Sequence, residues 1–232
     1  MKIFINGRFL SQELSGVQTF SLLYTNKLYD KYRNDLVVLF PKKSKVKQIY
    51  KYLFKIKRIG IFTGHLWEQI DLPIFLKSMG SPLLINFGNS APVFYKNKFI
   101  TIHDLSIYKD KSWHNPKYRF FYKLLIPRII NNNVKLLTVS KFSETEIIDK
   151  FNILKESIKI IPNSVYINDN KLSRTETKEN YFLFIGSTNN RKNLKNLIDA
   201  FSMLENEDVK LIIVGVSKEE YNNKYGFSQN IE

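Results

Sequence analysis

The chain has 232 residues, of which 44% are hydrophobic and 14% aromatic, and a formal net charge of +15 at pH 7. This length suits one ordinary domain with part of a second, and the apolar content excludes an intrinsically disordered chain. The absence of cysteine excludes disulfides and a cysteine nucleophile, and it favours a reducing, cytoplasmic compartment. Since the apolar runs are short, we expect neither a signal peptide nor a membrane span.

Short runs rich in isoleucine, valine, leucine and phenylalanine alternate along the chain with longer segments of helical period. That alternation is typical of parallel βαβ units and predicts an α/β fold with a doubly wound sheet. The predicted strands cover residues 2–6, 35–40, 58–62, 83–87, 99–103, 135–139 and 157–161. Apolar spacings of three and four predict helices over 17–28 and 121–129, and Ser143 with Glu146 has the pattern of a capping box.

A polar stretch over residues 168–180 separates this region from a second βαβ start. There the pattern predicts a strand over 181–185, a helix over 193–204 and a strand over 209–214. Two strands and one helix cannot enclose a core of their own. We therefore expect a complete domain over residues 1–167, a linker over 168–180 and the opening part of a second domain over 181–232.

Residues 42–58 form a strongly basic segment that contains no carboxylate. Its cations are Lys42, Lys43, Lys45, Lys47, Lys51, Lys55, Lys57 and Arg58, and apolar side chains lie between them. Such a segment can bind anionic lipid at the inner face of a membrane or the phosphates of nucleic acid, and it can equally be a solvated surface. Because no nucleic-acid recognition motif accompanies it, we expect no nucleic-acid partner.

Several common nucleotide and metal motifs are absent from the sequence. No G-x-G-x-x-G follows the first strand, no phosphate-binding G-x-x-x-x-G-K-[ST] occurs, and no Asp-x-Asp pair is present. The three histidines are far apart in the chain. We therefore expect no cofactor and no protein-bound metal.

Two segments place candidate ligand contacts directly after predicted strands. Gly16 and Val17 open the first helix, where backbone N–H groups and the helix dipole favour an anion, although a tight βα turn explains a glycine there equally well. His103 and Asp104 follow the fifth strand, at the sheet edge where open α/β sheets bind ligands. A hydrogen-bonded histidine and a capping aspartate are the structural alternative.

Three further segments carry polar or aromatic candidates. Trp67 and Glu68 suit a sugar face, although the tryptophan also fits the core side of a helix. Ser140 again follows a strand, and helix capping is its simpler explanation. Arg191 and Lys192 follow a strand and a glycine turn, which suits a diphosphate, whereas adjacent surface cations are ordinarily just solvated.

Taken together and in this order, these segments resemble the retaining glycosyltransferases of the GT-B fold known as family 4 or group 1. The resemblance is carried by WEQ-x-x-LP, HDL, VSKFSE, IPNSV and GSTNNRKNLKNLIDAF, and it extends from residue 2 to about residue 215. The bacterial branch that builds O-antigen and capsular polysaccharides, often from mannose donors, is the most similar. The resemblance implies transfer of a hexose from a nucleotide-diphosphate sugar to a polysaccharide or lipid-linked glycan.

The resemblance also implies roles for matching residues. It assigns Gly16 and Val17 to the loop near the donor diphosphate, and the Arg191 and Lys192 pair to charge neutralisation on the leaving group. It implies that His103 lies near the reacting sugar, that Asp104 orients the site, and that these two are the catalytic candidates. Trp67, Glu68 and Ser140 are then the cleft or acceptor candidates. Ser187 stands where many relatives have a further arginine.

The sequence departs from the family in its donor half. Relatives hold the donor sugar and the ribose with a Glu-x7-Glu segment, and no glutamates with that spacing and context occur here. We therefore expect a truncated or split enzyme whose isolated chain has little or no transferase activity. The alternative is a non-catalytic acceptor-binding module that pairs with a separate chain. Sugar transfer from a nucleotide donor by the purified chain alone would contradict the expected inactivity.

Overall fold

The computed structural model describes residues 2–48, 54–130, 135–165, 180–204 and 208–225. Backbone contacts divide the chain into two compact units. The first consists of Met1–Lys109 with Pro116–Tyr166, and the second of Asp110–Asn115 with Ile167–Glu232. The linker predicted over residues 168–180 lies outside the described residues except for Asn180, so its extent stays a prediction.

The first unit contains a parallel sheet of seven strands in the order β3-β2-β1-β4-β5-β6-β7. The strands are β1 (Ile3–Asn6), β2 (Leu36–Pro41), β3 (Ile56–Ile59), β4 (Leu83–Asn86), β5 (Lys98–Thr101), β6 (Lys135–Thr138) and β7 (Ile158–Ile160). The predicted doubly wound sheet is confirmed. The third strand begins two residues earlier than predicted, because Ile56 pairs with Val38. It ends before Gly60, whose φ of 77° leaves the extended region.

The helices of the first unit connect these strands. They are α1 (Gly16–Tyr32), α2 (Gly64–Leu66), α3 (Leu72–Ser78), α4 (Pro116–Ile130) and α5 (Lys141–Phe151). A π-helical turn, Trp67–Asp71, joins α2 to α3, and short 3-10 turns cover Gly7–Ser11, Ser106–Tyr108 and Lys155–Ser157. The predicted capping box at Ser143 is wrong. Ser140 caps α5 instead, since its Oγ accepts the Ser143 N–H at 3.1 Å.

The core lies on both faces of the sheet, as expected for parallel strands covered by helices. Alternate residues of β1 point to opposite faces: Ile3 and Ile5 pack with Phe20 of α1, and Phe4 packs in the cluster that contains Trp67. The Trp67 ring is fully buried, and its Nε1 donates to the Ile59 carbonyl at 3.1 Å. This residue therefore anchors the π-helical turn against β3.

The second unit contains a parallel pair of strands, β8 (Asn180–Ile185) and β9 (Val209–Val214). Its helices are α6 (Leu194–Ser202) and α7 (Lys218–Tyr225), with 3-10 turns at Lys111–Trp113 and Asn190–Lys192. The order β8, α6, β9 is the predicted βαβ start. Most of the β8 side chains remain exposed within the described part of this unit.

Gly7 lets the end of β1 approach β2 closely. A Cβ added there would lie 2.6 Å from both the Leu39 carbonyl oxygen and the Val38 Cγ1. We therefore expect Gly7→Ala to lower the free energy of unfolding by about 1–3 kcal/mol, because β2 must shift to accept the methyl group. Urea titration measures this change.

Gly88→Ala is the matched control, because a Cβ there would meet no atom within 4 Å. Its free energy of unfolding should change by no more than about 0.5 kcal/mol. Equal effects of the two substitutions would contradict the close contact between β1 and β2.

Candidate functional site

A polar cleft lies at the carboxyl ends of β1 and β4. The chain runs outward from β1 to β2 and β3, then returns to place β4 on the other side of β1. In open α/β sheets such a reversal of strand order opens a crevice where ligands bind. The cleft here is small, with a cavity volume of about 20 Å³, and is open to solvent. It is lined by Asn6, Arg8, Phe9, Gln12, Val17, Glu68, Phe87, Gly88 and Ser90.

Two asparagines, Asn6 and Asn86, occupy the last positions of β1 and β4, whose other side chains are apolar. The Asn6 Nδ2 donates to Asn86 Oδ1 at 2.9 Å and to Glu68 Oε1 at 2.6 Å. The Asn86 Nδ2 donates to the Phe99 carbonyl of β5 at 3.0 Å. These bonds join three neighbouring strands at the edge where the cleft opens, and they connect the sheet to the π-helical turn.

Glu68 is the fully buried carboxylate at the centre of this network. Its Oε1 accepts from Asn6 and from the Ser90 hydroxyl at 2.9 Å, and it lies 3.4 Å from the Arg8 Nε. Its Oε2 lies 3.2 Å from His65 Nδ1. Burial alone would raise the pKa of Glu68, but the Arg8 charge and the bonds from His65 and Asn6 outweigh it and lower the pKa. The side chain is therefore ionised at neutral pH.

Arg8 is the cation of the cleft, and its side chain is 13% exposed. Its Nη2 donates to Ser90 Oγ at 2.8 Å, and its Nη1 lies 3.4 Å from His65 Nε2. Burial would lower its pKa, but the Glu68 carboxylate and Tyr122 outweigh that effect and raise the pKa. The guanidinium is therefore charged, and its partners hold it in one orientation at the cleft wall.

The buried Arg8–Glu68 pair suits ligand binding better than it suits stability. Replacing a buried ion pair by apolar residues is often neutral or stabilising, because desolvation of two charges offsets their attraction. What the pair does provide is a guanidinium held from several sides in one orientation. Fixed geometry of this kind is what a binding site requires.

The start of α1 borders the same cleft through Val17. The α1 N-cap, Ser15, makes no side-chain cap bond, and Val17 lines the cleft. A Cβ added at Gly16 would meet no atom within 4 Å, so the space beside this turn is open. The roles of Gly16 and Val17 at the donor diphosphate stay predictions.

His103 is buried where the chain leaves β5. Its Nε2 lies 2.8 Å from the Phe87 carbonyl, and its ring packs edge-on against Phe20 with centroids 4.8 Å apart. Burial lowers its pKa, and the Phe87 carbonyl and Asp104 offset this only partly. The ring is then neutral at pH 7, with its proton assigned to Nε2 by the carbonyl bond and with Nδ1 as an acceptor.

The other candidates of the first unit take structural positions. Asp104 accepts the Ser106 N–H at 3.0 Å, and Ser140 caps α5. The prediction that Trp67 contacts the acceptor is wrong for this structure, because its ring has no exposed face on which a sugar could stack. Its contribution is indirect, since it holds the turn that carries Glu68. The catalytic role of Asp104 and the acceptor contact of Ser140 stay predictions.

In the second unit, Arg191 and Lys192 lie exposed on the 3-10 turn after β8. Asn189 caps this turn, since its Oδ1 accepts the Arg191 N–H at 3.0 Å. The Lys192 side chain passes Gly186, with its Cγ 3.7 Å from where a Cβ of that glycine would lie. The glycine turn and the basic pair therefore adjoin each other, and their role at a diphosphate stays a prediction.

Within the described part of the chain, no group of three or more His, Cys, Asp or Glu side chains is arranged to hold a metal ion. Among the same residues, no helix is long and apolar enough to cross a membrane.

Sequence reasoning missed most of the cleft network, namely Asn6, Arg8, His65, Asn86 and Ser90. Polar residues at the ends of two apolar strands were the available signal. The strand order was needed to show that β1 and β4 are neighbours and that their ends share one crevice. Glu68, predicted as an acceptor or cleft candidate, is among the residues that line this cleft, and its contact with an acceptor stays a prediction.

The fold is that of an α/β protein with two units of parallel strands, and comparisons with known proteins show what it is similar to. Residues 167–230 match the family described as "Glycosyl transferases group 1". A stretch of 126 residues, 50% of the chain, is 32% identical to the O-antigen chain mannosyltransferase RfbU of Salmonella typhimurium. That match covers 34% of the relative's length.

A solved structure has the same fold. HepE of Anabaena, crystallised with UDP and glucose, matches 100% of this chain at 17% identity and a TM-score of 0.62, and the chain covers 68% of it. Residues 167–230 are therefore similar to the group 1 glycosyltransferases, and the chain has the GT-B type of fold. It spans about a third of the curated relative that it matches.

The buried carboxylate gives a stability prediction. Glu68→Gln leaves Arg8 buried without its counter-charge, so we expect the free energy of unfolding at pH 7 to fall by about 3 kcal/mol. Glu13→Gln is the matched control, because the Glu13 side chain pairs with Lys47 but is 84% exposed. This substitution should lower the free energy of unfolding by no more than about 0.5 kcal/mol. Urea titration of both variants measures the difference.

The same pair predicts how stability depends on pH. The pKa of Glu68 is lowered in the folded state, so its contribution is fully present above its ordinary value of 4.5 and is lost as the pH falls below that value. The stability gap between the unsubstituted protein and Glu68→Gln should therefore shrink in acid. A gap that stays constant from neutral pH to below 4.5 would contradict the ion pair.

Proposed function

We propose that this chain forms the acceptor-side domain, and part of the donor-nucleotide domain, of a hexosyltransferase. The parent reaction moves a hexose from a nucleotide-diphosphate sugar to a polysaccharide or lipid-linked glycan, with mannose as the candidate hexose. The observation that carries this proposal is the polar cleft at the reversal of strand order, in a chain whose residues 167–230 match the group 1 glycosyltransferases. The likeness to RfbU supports the mannose assignment.

The chemistry of the cleft suits the hydroxyl groups of a sugar. Sugar hydroxyls donate and accept, and the cleft offers the Arg8 donors, the Ser90 hydroxyl and the Gln12 amide. Because Glu68 already balances the Arg8 charge, the wall is close to neutral. A neutral polar wall favours an uncharged glycan over a group with several negative charges, and this supports an acceptor role.

The proposed transfer needs no covalent glycosyl-enzyme intermediate. The bond from the anomeric carbon to the diphosphate oxygen breaks, and the acceptor oxygen attacks on the same face. The acceptor proton passes to the departing diphosphate. Arg191 and Lys192 stabilise the charge that develops on this leaving group. His103 shapes the sugar pocket as a neutral side chain, and Asp104 beside it orients the site.

Lys192 gives the first test of this proposal. We expect Lys192→Ala to weaken binding of UDP or GDP by about ten-fold, because a charge-assisted bond to the diphosphate is lost. Lys218→Ala is the control, since Lys218 is an exposed lysine on α7 of the same unit. Titration calorimetry with both nucleotides measures the affinities. Equal affinities for the two variants would contradict the assigned diphosphate site.

Transfer itself is tested with radiolabelled UDP-glucose and GDP-mannose and mannose-containing oligosaccharide acceptors. The chain is assayed alone and after co-expression with a chain that supplies a Glu-x7-Glu segment. We expect transfer in the co-expressed sample, and we expect Lys192→Ala to abolish it. Absence of transfer in both samples, despite nucleotide binding, would favour the non-catalytic module.

That alternative module also has a supporting observation. In the described part of the second unit, four apolar side chains of β8 keep about half or more of their surface exposed, namely Tyr181, Phe182, Leu183 and Ile185. Exposed apolar surface of this extent is typical of a face that another segment or chain covers. A complementing chain that binds here without restoring transfer would support the module.

We also propose a cytoplasmic location with peripheral contact at the inner face of the membrane. Among the described cations of the 42–58 segment, Lys42, Lys43 and Lys45 are exposed and support this membrane contact. Lys47 supports it less, because its charge is paired with Glu13. The neighbouring Phe54 and Ile56 pack against the core. The described part of the segment can therefore attract anionic lipid by charge, but these two apolar side chains do not face outward.

A further inference from the structure

The cleft is too small to hold a sugar ring by itself. Its cavity volume of about 20 Å³ has room for about one water molecule. A sugar can therefore place one hydroxyl group in the cleft while its ring lies on the rim, and the rim has to supply a surface that fits the ring. Because Trp67 is fully buried, that surface comes from another side chain.

The beginning of α4 lies against the side chains that form the cleft wall. The His65 Nε2 lies 3.4 Å from the Arg8 Nη1. The His65 ring also packs on Phe121 and Tyr122 of α4, with centroids 4.4 and 5.7 Å apart. Burial would lower the pKa of Arg8, and the buried Tyr122 acts together with Glu68 to raise it. The aromatic side chains of α4 therefore adjoin the guanidinium of the cleft.

Tyr118 extends this aromatic contact to the surface. It lies four residues before Tyr122 on the same face of α4, and the two rings pack with centroids 4.4 Å apart and planes inclined by 34°. Burial raises the pKa of the Tyr118 hydroxyl, and the hydrogen bond to Tyr122 and the charge of Asp104 raise it further. The hydroxyl end is therefore the less exposed end. Since Tyr118 is 42% exposed, its open surface is mainly the ring face turned away from Tyr122.

Asp104 supplies a polar group beside this ring. It is exposed, and its Oδ1 accepts the Ser106 N–H at 3.0 Å, which fixes the carboxylate shortly after β5. The interaction of its charge with the Tyr118 hydroxyl places the two side chains near each other. An open aromatic ring beside a carboxylate suits a sugar, because the ring contacts the C–H groups of one sugar face and the carboxylate accepts hydroxyl protons.

We propose that Tyr118 is the residue on which the acceptor sugar stacks, and that with Asp104 it selects an uncharged hexopyranose over an acidic one; this rests on the proposed function. A hexose on the Tyr118 ring directs one hydroxyl toward Arg8 in the cleft and another toward Asp104. A carboxylate on the sugar would meet the like charge of Asp104, which disfavours acidic sugars. The platform predicted at Trp67 is thereby assigned to α4.

NMR titration of the full chain with methyl mannoside tests the role of Tyr118. We expect Tyr118→Leu to weaken binding by about three- to ten-fold, because it keeps an apolar contact with Tyr122 but removes the aromatic face. Tyr118→Phe keeps the ring and should stay within about two-fold of the unsubstituted chain. Phe120→Leu is the matched control and should leave the affinity unchanged. Phe120 is 68% exposed, and it lies about 200° further round the same helix.

The sugar protons report the stacking directly. An aromatic ring shifts the C–H signals of the face that lies on it upfield, so the bound mannoside should show this shift with the unsubstituted chain and with Tyr118→Phe, and lose it with Tyr118→Leu. The Arg8 Nε–H signal is followed in every variant. If Tyr118→Leu disturbs that signal, Tyr118→Trp decides instead: it should bind the mannoside at least as tightly as the unsubstituted chain, and weaker binding overturns the proposal.

The other outcomes separate this proposal from the proposed function. If Tyr118→Leu binds the mannoside as tightly as the unsubstituted chain does, the stacking role fails while the acceptor role stands. If Tyr118→Leu loses affinity for UDP and not for the mannoside, the ring holds the nucleotide and the proposal is overturned. Equal binding of methyl glucuronide and methyl mannoside overturns the selection by charge. Absence of mannoside binding by the unsubstituted chain overturns both the acceptor role and the stacking role.

Discussion

The buried carboxylate of Glu68 sets the geometry of the cleft. An ionised group without water needs partners from several directions, and these come from Asn6 at the end of β1, Ser90 after β4, and Arg8 and His65 nearby. Each partner lies on a different loop or element, so the charge fixes all of them relative to one another. The cleft wall is thus a consequence of one desolvated ion and the bonds that stabilise it.

This constraint links the fold to the proposed chemistry. The reversal of strand order brings the carboxyl ends of β1 and β4 together, and the ion pair gives that crevice a rigid polar wall.

The sequence was sufficient to predict the sheet, most strand positions and the family, because apolar alternation and the motif order are local signals. The cleft was harder to predict because it depends on contacts between distant segments. Asn6 and Asn86 are eighty residues apart, and nothing local indicates that their side chains bond. Trp67 was misjudged for a related reason: its position beside Glu68 suited a sugar face, whereas packing against β3 determines which side of the helix is buried.

In the proposed function, Arg8, fixed by Glu68, forms the sugar-binding wall of the cleft. The NMR signal of the Arg8 Nε–H, assigned by its loss in Arg8→Lys, tests this claim directly during titration with mannose oligosaccharides. We expect a slowly exchanging Arg8 Nε–H signal that shifts as the sugar binds, while the signal of the surface residue Arg58 stays in place. An Arg8 signal that exchanges like a solvated arginine, or that stays unchanged while sugar binds elsewhere, would show that Arg8 does not form this wall.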